Sequence, residues 1–218
     1  MRLVLLGPPG SGKGTQAVGL AEELRVPHIA TGDLFRAEMA LESDLGKLAQ
    51  SFISHGNLVP DDVVNEVMRK RLAQSDAEGF VLDGYPRTDG QAHALDEMLA
   101  AMERPICVAL NIEVPNEKIV ERAVGRLVCP GCGAIYHLTS KPPRQLGICD
   151  NCRSQLIVRS DDQPSTVRHR LDVYARITQP VLAHYEALSL LKRVDGMGAR
   201  EEVGNRLREG LRGICDSC

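Results

Sequence analysis

Aromatic side chains are scarce in this 218-residue chain, which has no Trp, three Phe and four Tyr. Proteins that bind single-stranded nucleic acid usually stack bases on aromatic rings, so this kind of binding is not expected. The net charge is −3, so the chain also lacks the basic excess typical of a nucleic-acid-binding domain. Neither absence excludes a protein that binds small anionic molecules through a few well-placed cations.

Long hydrophobic runs are also missing. No stretch approaches the roughly 18 consecutive apolar residues of a membrane-spanning helix, and the N-terminal apolar run is too short for the core of a signal peptide. We therefore expect a cytoplasmic protein that makes no membrane contact. In that reducing compartment, closely spaced cysteines indicate metal ligands or redox groups before they indicate structural disulfides.

Short, uniformly apolar segments alternate with amphipathic helical patterns, which predicts an α/β fold with a parallel sheet covered on both faces. The predicted strands are 2–6, 27–30, 79–84, 106–112 and 190–194. Ser43 and Asp61 are predicted to cap two of the helices. A long helix is predicted to start at Ser165 and to be kinked or interrupted at Pro180.

One segment, residues 125–162, breaks this alternation and reads as an inserted module. It contains Cys129-x2-Cys132 and Cys149-x2-Cys152, and this spacing is typical of a zinc site. Four thiolates complete a tetrahedral shell and leave no position for water or substrate, so the zinc would be structural. A pair of redox dithiols, an empty thiol cluster and an iron–sulfur site remain alternatives, and His137 is a conceivable substitute ligand.

A zinc-ribbon module that binds nucleic acid is a competing interpretation of this insert. Such a module needs a basic face, but residues 125–162 hold five Arg and Lys against three Asp, an excess of only two. The charge pattern therefore gives this alternative little support.

A phosphate-binding loop is predicted at the N-terminus, where Gly7, Gly12 and Lys13 fit the pattern G-x-x-x-x-G-K between a predicted strand and a predicted helix. Backbone N–H groups and the helix N-terminus of such a loop bind phosphate oxygens, and the lysine adds a positive charge. The Ser or Thr that usually follows the lysine is replaced by Gly14, with the hydroxyl at Thr15. Asp83, at the end of a predicted strand, could hold Mg²⁺ or could simply cap a turn.

Several stretches taken together resemble the adenylate kinase family of nucleoside-monophosphate kinases, in the order and spacing of that family. They are GPPGSGKGTQA (7–17), TGDLFR (31–36), GNLVPDD (56–62), LDGYPRT (82–88), ERAVGR (121–126), RSDD (159–162) and TVRHRL (166–171). The resemblance implies a P-loop kinase core with a five-stranded parallel sheet flanked by helices. It also implies a helical AMP-binding clamp at 30–59 and a lid at 126–162, so that the core consists of 1–29, 60–125 and 163–218.

The resemblance further implies Mg²⁺-dependent transfer of a phosphoryl group between ATP and AMP, giving ADP, by a monomer. Some bacterial members of the family carry a zinc-bound lid, which agrees with the four-cysteine spacing. Related kinases that act on UMP or CMP usually lack the pair that Thr31 and Gln91 form here. The preference for ATP or GTP as donor stays open.

The implied site residues fall into three groups. The residues at the positions where the family contacts the donor nucleotide are Gly10, Ser11, Gly12, Lys13, Gly14, Thr15, Arg122, Arg126, Ile135, Tyr136 and Gly198. The residues at the positions where the family contacts AMP are Thr31, Arg36, Asn57, Leu58, Val59, Gly84, Tyr85, Pro86, Arg87, Gln91, Arg159 and Arg170. The catalytic set is Lys13, Asp83, Arg126, Arg159 and Arg170, with Asp161 and Asp162 as lid acids tied to closure and to the Mg²⁺ water shell.

Some of these residues also have simpler interpretations. Thr31 could cap the helix that it opens, and Arg36 could be a solvated surface residue. Arg168 and Arg170 are two apart on a helix, so they cannot both face the site equally. Outside the site, Cys107 is predicted to be a small core residue, and Cys215-x2-Cys218 an incidental C-terminal pair.

Overall fold

A computed structural model describes residues 1–214, apart from the side chain of Ser160. The predicted Cys215 and Cys218 pair lies outside the described residues. Cys107 is buried, as predicted, and its sulfur accepts a hydrogen bond from the backbone N–H of Arg2 at 3.2 Å.

Five parallel strands form the central sheet. They are β1 (Arg2–Leu6), β2 (His28–Ala30), β3 (Phe80–Asp83), β4 (Val108–Glu113) and β7 (Leu191–Asp195), in the order β2-β3-β1-β4-β7. The chain adds strands on one side of β1 and later on the other, so the order reverses at β1. In sheets of this type, ligands bind at the carboxyl ends of the strands beside that reversal.

Nine α-helices occur in the described part of the chain, most of them covering the sheet. They are α1 (Lys13–Leu24), α2 (Thr31–Ala40), α3 (Asp44–Ile53), α4 (Asp61–Leu72), α5 (Asp89–Ala101), α6 (Asn116–Val124), α7 (Pro164–Val173), α8 (Val181–Ala187) and α9 (Arg200–Leu211). Successive residues of β1 point to opposite faces. Val4 and Leu6 pack into one core, and Leu3 and Leu5 into the other. The predicted α/β fold with a doubly covered sheet is confirmed.

The two predicted helix caps have different outcomes. The side chain of Ser43 accepts a hydrogen bond from the backbone N–H of Gly46 at 3.0 Å, as a cap does. Asp61, however, is the first residue of α4, and Pro60 takes the cap position. Asp61 is therefore not a cap, and its carboxylate bonds elsewhere.

The predicted long helix is interrupted, and earlier than at Pro180. It begins at Pro164, and α7 ends at Val173. A π-helical turn over Tyr174–Thr178 follows, and α8 starts only after Pro180. A proline lacks the N–H of a regular turn and clashes with the carbonyl four residues before it, so the preceding turn widens.

The cysteine-containing segment folds around its own small core. Strands β5 (Arg126–Val128) and β6 (Ile135–His137) form an antiparallel pair, and a 3₁₀ turn covers Ser160–Asp162. Leu127, Tyr136, Leu156, Cys129 and Cys149 are buried together there. The exact borders proposed for the lid and for the clamp stay predictions. No helix within residues 1–214 is both long and apolar enough to cross a membrane.

Candidate active site

Three strand ends assemble the site at one edge of the sheet. The predicted phosphate loop follows β1, Thr31 follows β2, and Asp83 ends β3, with Gly84 directly after it. The register pairs Leu5 with Asp83, and Ala30 with Asp83, so the three segments leave the sheet side by side. These are the carboxyl ends of the strands, and they lie beside β1, where the order of the strands reverses. This is the position expected for a ligand site in a parallel sheet.

The phosphate loop needs glycine at specific positions. Gly12 caps α1 with φ 98°, a left-handed conformation that side chains disfavour. At Gly7 an added Cβ would lie 2.6 Å from the carbonyl oxygen of Ile112, so no side chain fits. Nζ of Lys13 donates to the carbonyl oxygens of Gly7 and Pro8, at 2.6 and 2.8 Å. The loop thus folds around its own lysine at the N-terminus of α1.

Lys13 lies in a strongly desolvated position. Burial, together with the nearby positive charges of Arg87, Arg170 and Arg126, lowers the pKa of its ammonium to about 7. The carboxylate of Asp83 opposes it, since a negative charge favours the protonated form. A buried cation surrounded by further cations favours an anion as its partner.

Asp83 is placed against the phosphate loop, as the sequence predicts. An added Cβ on Gly14 would lie 3.3 Å from Oδ2 of Asp83, and Nε2 of His28 is 3.6 Å from the same oxygen. Burial alone would raise the pKa of Asp83. The nearby imidazole of His28 and the charges of Lys13 and Arg87 outweigh burial, so the pKa is lowered and the carboxylate is ionised at neutral pH.

Three predicted catalytic arginines lie around two acids. Arg170 donates to Oδ2 of Asp161 at 2.7 Å, and Nε of Arg126 is 3.4 Å from Oδ2 of Asp162. Nε of Arg159 is buried and has no hydrogen-bond partner among the described residues. Burial, together with the charges of Arg36 and Arg126, lowers the pKa of Arg159 to about 10. These cations therefore lie close enough to repel one another, which an incoming anion would relieve.

Asp162 fits a role near a metal ion. Its side chain is fully buried, and neither carboxylate oxygen has a hydrogen-bond partner among residues 1–214. Burial raises the pKa of Asp162, although the charge of Arg126 opposes the shift. Hard divalent cations such as Mg²⁺ bind carboxylate oxygens directly or through water, so Asp83 and Asp162 each offer donor atoms of the right chemistry.

The predicted AMP residues after β3 form a compact hydrogen-bonded loop that includes a cis peptide bond between Tyr85 and Pro86. Thr31 donates from Oγ1 to the carbonyl oxygen of Gly84 at 2.8 Å, and Nε of Arg87 donates to the same oxygen at 2.7 Å. Thr31 is the first residue of α2 and makes no capping hydrogen bond, so the interpretation as a cap is wrong. Burial lowers the pKa of Arg87 to about 10, with a further contribution from the charge of Arg170.

Gln91 is held at both ends of its amide. Oε1 accepts from the backbone N–H of Arg87 at 2.7 Å, and Nε2 donates to Oδ1 of Asp61 at 2.7 Å. The other oxygen of Asp61 accepts from Oγ1 of Thr88 at 2.6 Å. Only one N–H of the Gln91 amide remains for a ligand, and its direction is fixed.

The remaining acceptor-side residues lie at the border with the predicted clamp. Arg36 pairs with Asp33 on the same helix at 2.6 Å and keeps a partly exposed side chain. Oδ1 of Asn57 lies 2.8 Å from Nε2 of His169 on α7. Arg168 is exposed, whereas Arg170 is turned toward the acids, so only one of the two enters the site, as predicted.

On the donor side, Arg122 connects two loops. Its guanidinium donates to the carbonyl oxygens of Ser11 and Gly196, at 3.3 and 3.1 Å. It therefore lies between the phosphate loop and the segment that contains Gly198. Tyr136 is buried in the lid core, with its hydroxyl 3.5 Å from Sγ of Cys149 and accepting from the backbone N–H of Asp150. A contact between Tyr136 and a nucleotide would have to come from its backbone.

The four cysteines of the insert converge, as their spacing predicts. Sγ of Cys129 lies 3.2 Å from that of Cys152, and Sγ of Cys132 lies 3.5 Å from that of Cys149. The four sulfurs all lie within 4.8 Å of one another, and none is in a disulfide. One tetrahedral ion with Zn–S bonds of about 2.3 Å fits such a cluster, so the residues are compatible with a structural zinc.

Comparison with known proteins decides the family. The family model described as adenylate kinase matches residues 5–190. The chain belongs to the adenylate kinase family. It is 51% identical to an adenylate kinase of Symbiobacterium thermophilum over 97% of this chain and 99% of that protein. It is 47% identical to adenylate kinases of Streptomyces avermitilis and Thermoanaerobacter sp., over 97% of this chain in both cases.

Membership of the adenylate kinase family makes the chain an enzyme, a nucleotide-binding kinase with a P-loop. Sequence reasoning missed two polar residues of this kinase site. Asp61 was interpreted as a cap and Thr88 was given no role, yet both brace Gln91. His28, beside Asp83, was also missed. The signal for Asp61 was present in PDD (60–62), but its partner lies thirty residues away along the chain.

Proposed function

We propose that the protein reversibly transfers the terminal phosphoryl group of ATP to AMP, giving two molecules of ADP, with Mg²⁺ bound to the nucleotide. The observation that carries this proposal is the position of the buried cationic cluster. Lys13 of the phosphate loop and Arg87 of the loop after β3 both lie close enough to Arg170 for its charge to lower their pKa values. Arg126 has the same effect on Arg170 and Arg159, so the five cations form one connected cluster. Two nucleotides placed at these two loops would bring their phosphates together at the cluster.

The chemistry follows from the charge of the transition state. Phosphoryl transfer passes through a loose transition state with negative charge on the equatorial oxygens, so the protein needs positioning and positive charge rather than a covalent nucleophile. In this proposal Lys13 faces the β- and γ-phosphates, while Arg126, Arg159 and Arg170 surround the transferred group. Arg36 and Arg87 hold the phosphate of AMP in line, since guanidinium groups bind such anions through two hydrogen bonds.

Asp83 and Asp162 would hold Mg²⁺, which supplies further positive charge to the phosphates when bound. The segments 30–59 and 126–162 would close over AMP and ATP as clamp and lid. Closure excludes water, because water at the reaction centre would hydrolyse ATP. Asp161 and Asp162 release Arg170 and Arg126 toward the phosphates as the lid closes.

We further propose that the cysteine cluster holds one zinc ion with a purely structural role, and that the protein acts as a monomer in the cytoplasm. The convergence of the four lid sulfurs supports the zinc ion, since four thiolates at this separation complete a tetrahedral shell.

A matrix of donors and acceptors tests the reaction. Purified enzyme should form ADP from ATP and AMP. The rate with AMP as acceptor should exceed the rates with UMP and CMP by a wide margin, because Thr31 and the fixed Gln91 amide favour adenine. Product formation is measured in a coupled assay, with GTP compared as donor. Equal use of UMP or CMP would show that the assignment of the acceptor is wrong.

Replacing Arg87 by Ala should weaken the binding of AMP more than the binding of ATP. Arg87 is buried beside the acceptor loop and is anchored to Gly84, so it contacts the acceptor phosphate in this proposal. We expect KM for AMP to rise about tenfold to a hundredfold, the range of a lost charged hydrogen bond, with KM for ATP nearly unchanged. The exposed Arg168→Ala is the control. An equal loss for both nucleotides would instead place Arg87 at the shared reaction centre.

Replacing Asp61 by Asn should reduce the specificity for the base of the acceptor nucleotide. Asp61 accepts from both Gln91 and Thr88, and an Asn can accept from only one of them without presenting its own N–H groups to the other. We expect KM for AMP to rise about tenfold and the preference for AMP over CMP to shrink, with kcat much less affected. Asp62→Asn, the exposed neighbour in the same helical turn, is the matched control. If Asp61→Asn kept the full preference, the brace would have no role in specificity.

A further inference from the structure

A second group of metal-ligating side chains, none of them assigned to the proposed nucleotide site, lies between α5 and α8. Asp89 and His93 stand one turn apart on α5, and His184 is on α8. One ligand atom from each of these three residues lies within 4.8 Å of those of the other two. They are separate from the four cysteines of the lid.

The three side chains converge because of helix geometry and packing. Residues four apart on a helix share a face, and Nε2 of His93 is 3.7 Å from Oδ2 of Asp89. The rings of His93 and His184 meet edge to face, with centroids 4.9 Å apart and an interplanar angle of 80°. Two imidazoles and a carboxylate are thus gathered from two helices that are distant in sequence.

Asp96, further along α5, orients His184. The Nε2–H of His184 donates to Oδ2 of Asp96 at 2.8 Å, and the His184 side chain is only 10% exposed. Metal-ligating histidines commonly donate one ring N–H to a carboxylate, which fixes the ring and makes the other nitrogen a better ligand. His184 is therefore held as a histidine of a metal centre is held, whereas Asp89 and His93 are solvent-accessible and can adjust to an ion.

We propose that Asp89, His93 and His184 bind one divalent transition-metal ion of the zinc or nickel class. Imidazole nitrogen is a preferred donor for these ions, whereas Mg²⁺ and Ca²⁺ prefer sites made wholly of oxygen. Three protein ligands leave water in the remaining position. The ion ties α5 to α8, so it stabilises the folded core, since any ligand that binds only the folded state does so.

Calorimetric titration of the full chain with Zn²⁺ tests the site, starting from protein whose four lid cysteines are already filled with zinc. Wild type should take up one further equivalent. Its melting temperature should rise by about 5 °C near a hundredfold excess over the dissociation constant. His93→Asn should lose both the extra equivalent and the rise. The substituted residue is exposed, so this variant should fold. His55→Asn, an exposed histidine outside the cluster, should behave as wild type.

Two further measurements separate this site from the lid. Asp96→Asn should lower the affinity for the second equivalent of Zn²⁺ about tenfold, because the carboxylate that orients a ligating histidine is lost. Co²⁺ added to the zinc-filled protein should bind without the intense absorption of cobalt–thiolate bonds. The proposal is overturned if wild type holds only the lid ion, if His93→Asn binds as much metal as wild type, or if Co²⁺ shows thiolate absorption.

Discussion

The Lys13→Ala variant is expected to lose about a thousandfold or more in kcat. Lys13 is one of the cations proposed to meet the charge that develops on the transferred phosphoryl group. Removing a single group of this kind costs roughly 10²- to 10⁵-fold in related chemistry. A coupled assay at saturating ATP and AMP measures the loss. Because the group acts on the transition state, kcat should fall much further than KM changes.

The same variant should keep or gain thermal stability. Burial lowers the pKa of Lys13 to about 7, which means that the folded protein holds this charge at a cost when no phosphate is present. Deleting the side chain removes that cost. Lys70→Ala, on the exposed face of α4, serves as control and should leave kcat unchanged. Near-normal turnover of Lys13→Ala would refute the assignment of the phosphate loop.

The features that could be predicted from the sequence are those encoded by neighbouring residues. The run Arg2–Leu6 ends in glycine, and the glycines of the phosphate loop surround a lysine at fixed spacing. Apolar continuity and glycine placement determine such segments locally, so both the strand and the loop were predicted correctly. The cysteine pairs were equally local, since each C-x-x-C directs two thiols toward one point.

The features that escaped prediction depend on residues far apart in the chain. Asp61 braces Gln91 thirty residues away, and Arg126 meets Asp162 across the whole insert. No periodicity or short spacing records such pairs. The π-helical turn at Tyr174 is a milder case. Pro180 predicted an interruption of the helix, but it did not indicate how many residues before the proline the α-helix would end.

Electrostatics show the same limit. The sequence identified Lys13 as a cation, but its lowered pKa comes from burial and from arginines of α7, of β5 and of the loop after β3 that folding brings close. The choice of a glycine at position 14 also has a spatial reason, since Asp83 approaches closely there. To admit the usual hydroxyl residue, the carboxylate of Asp83 would have to shift by a few tenths of an ångström.

Loss of zinc from the lid should lower the melting temperature and loosen the lid without abolishing low-temperature activity. The lid core contains only a few buried residues, two of them cysteines, and its strands have three residues each. So small a core cannot by itself outweigh the conformational entropy of the segment, so metal binding and lid folding form one linked equilibrium. If only about 3 kcal/mol of the zinc-binding energy is shared with the rest of the protein, the melting temperature falls by roughly 10 °C.

Cys129→Ser, or treatment with a strong chelator, produces this state, and calorimetry with elemental analysis follows it. The sheet should survive because both of its faces have their own cores. Some turnover should remain in the cold, since Lys13, Arg36 and Arg87 lie outside the lid, although Arg126 and Arg159 within it would be positioned less well. His137→Asn should retain one zinc, because four sulfurs already complete the shell. If zinc-free protein lost all turnover while its melting temperature stayed the same, the metal would be catalytic and the structural role would be wrong.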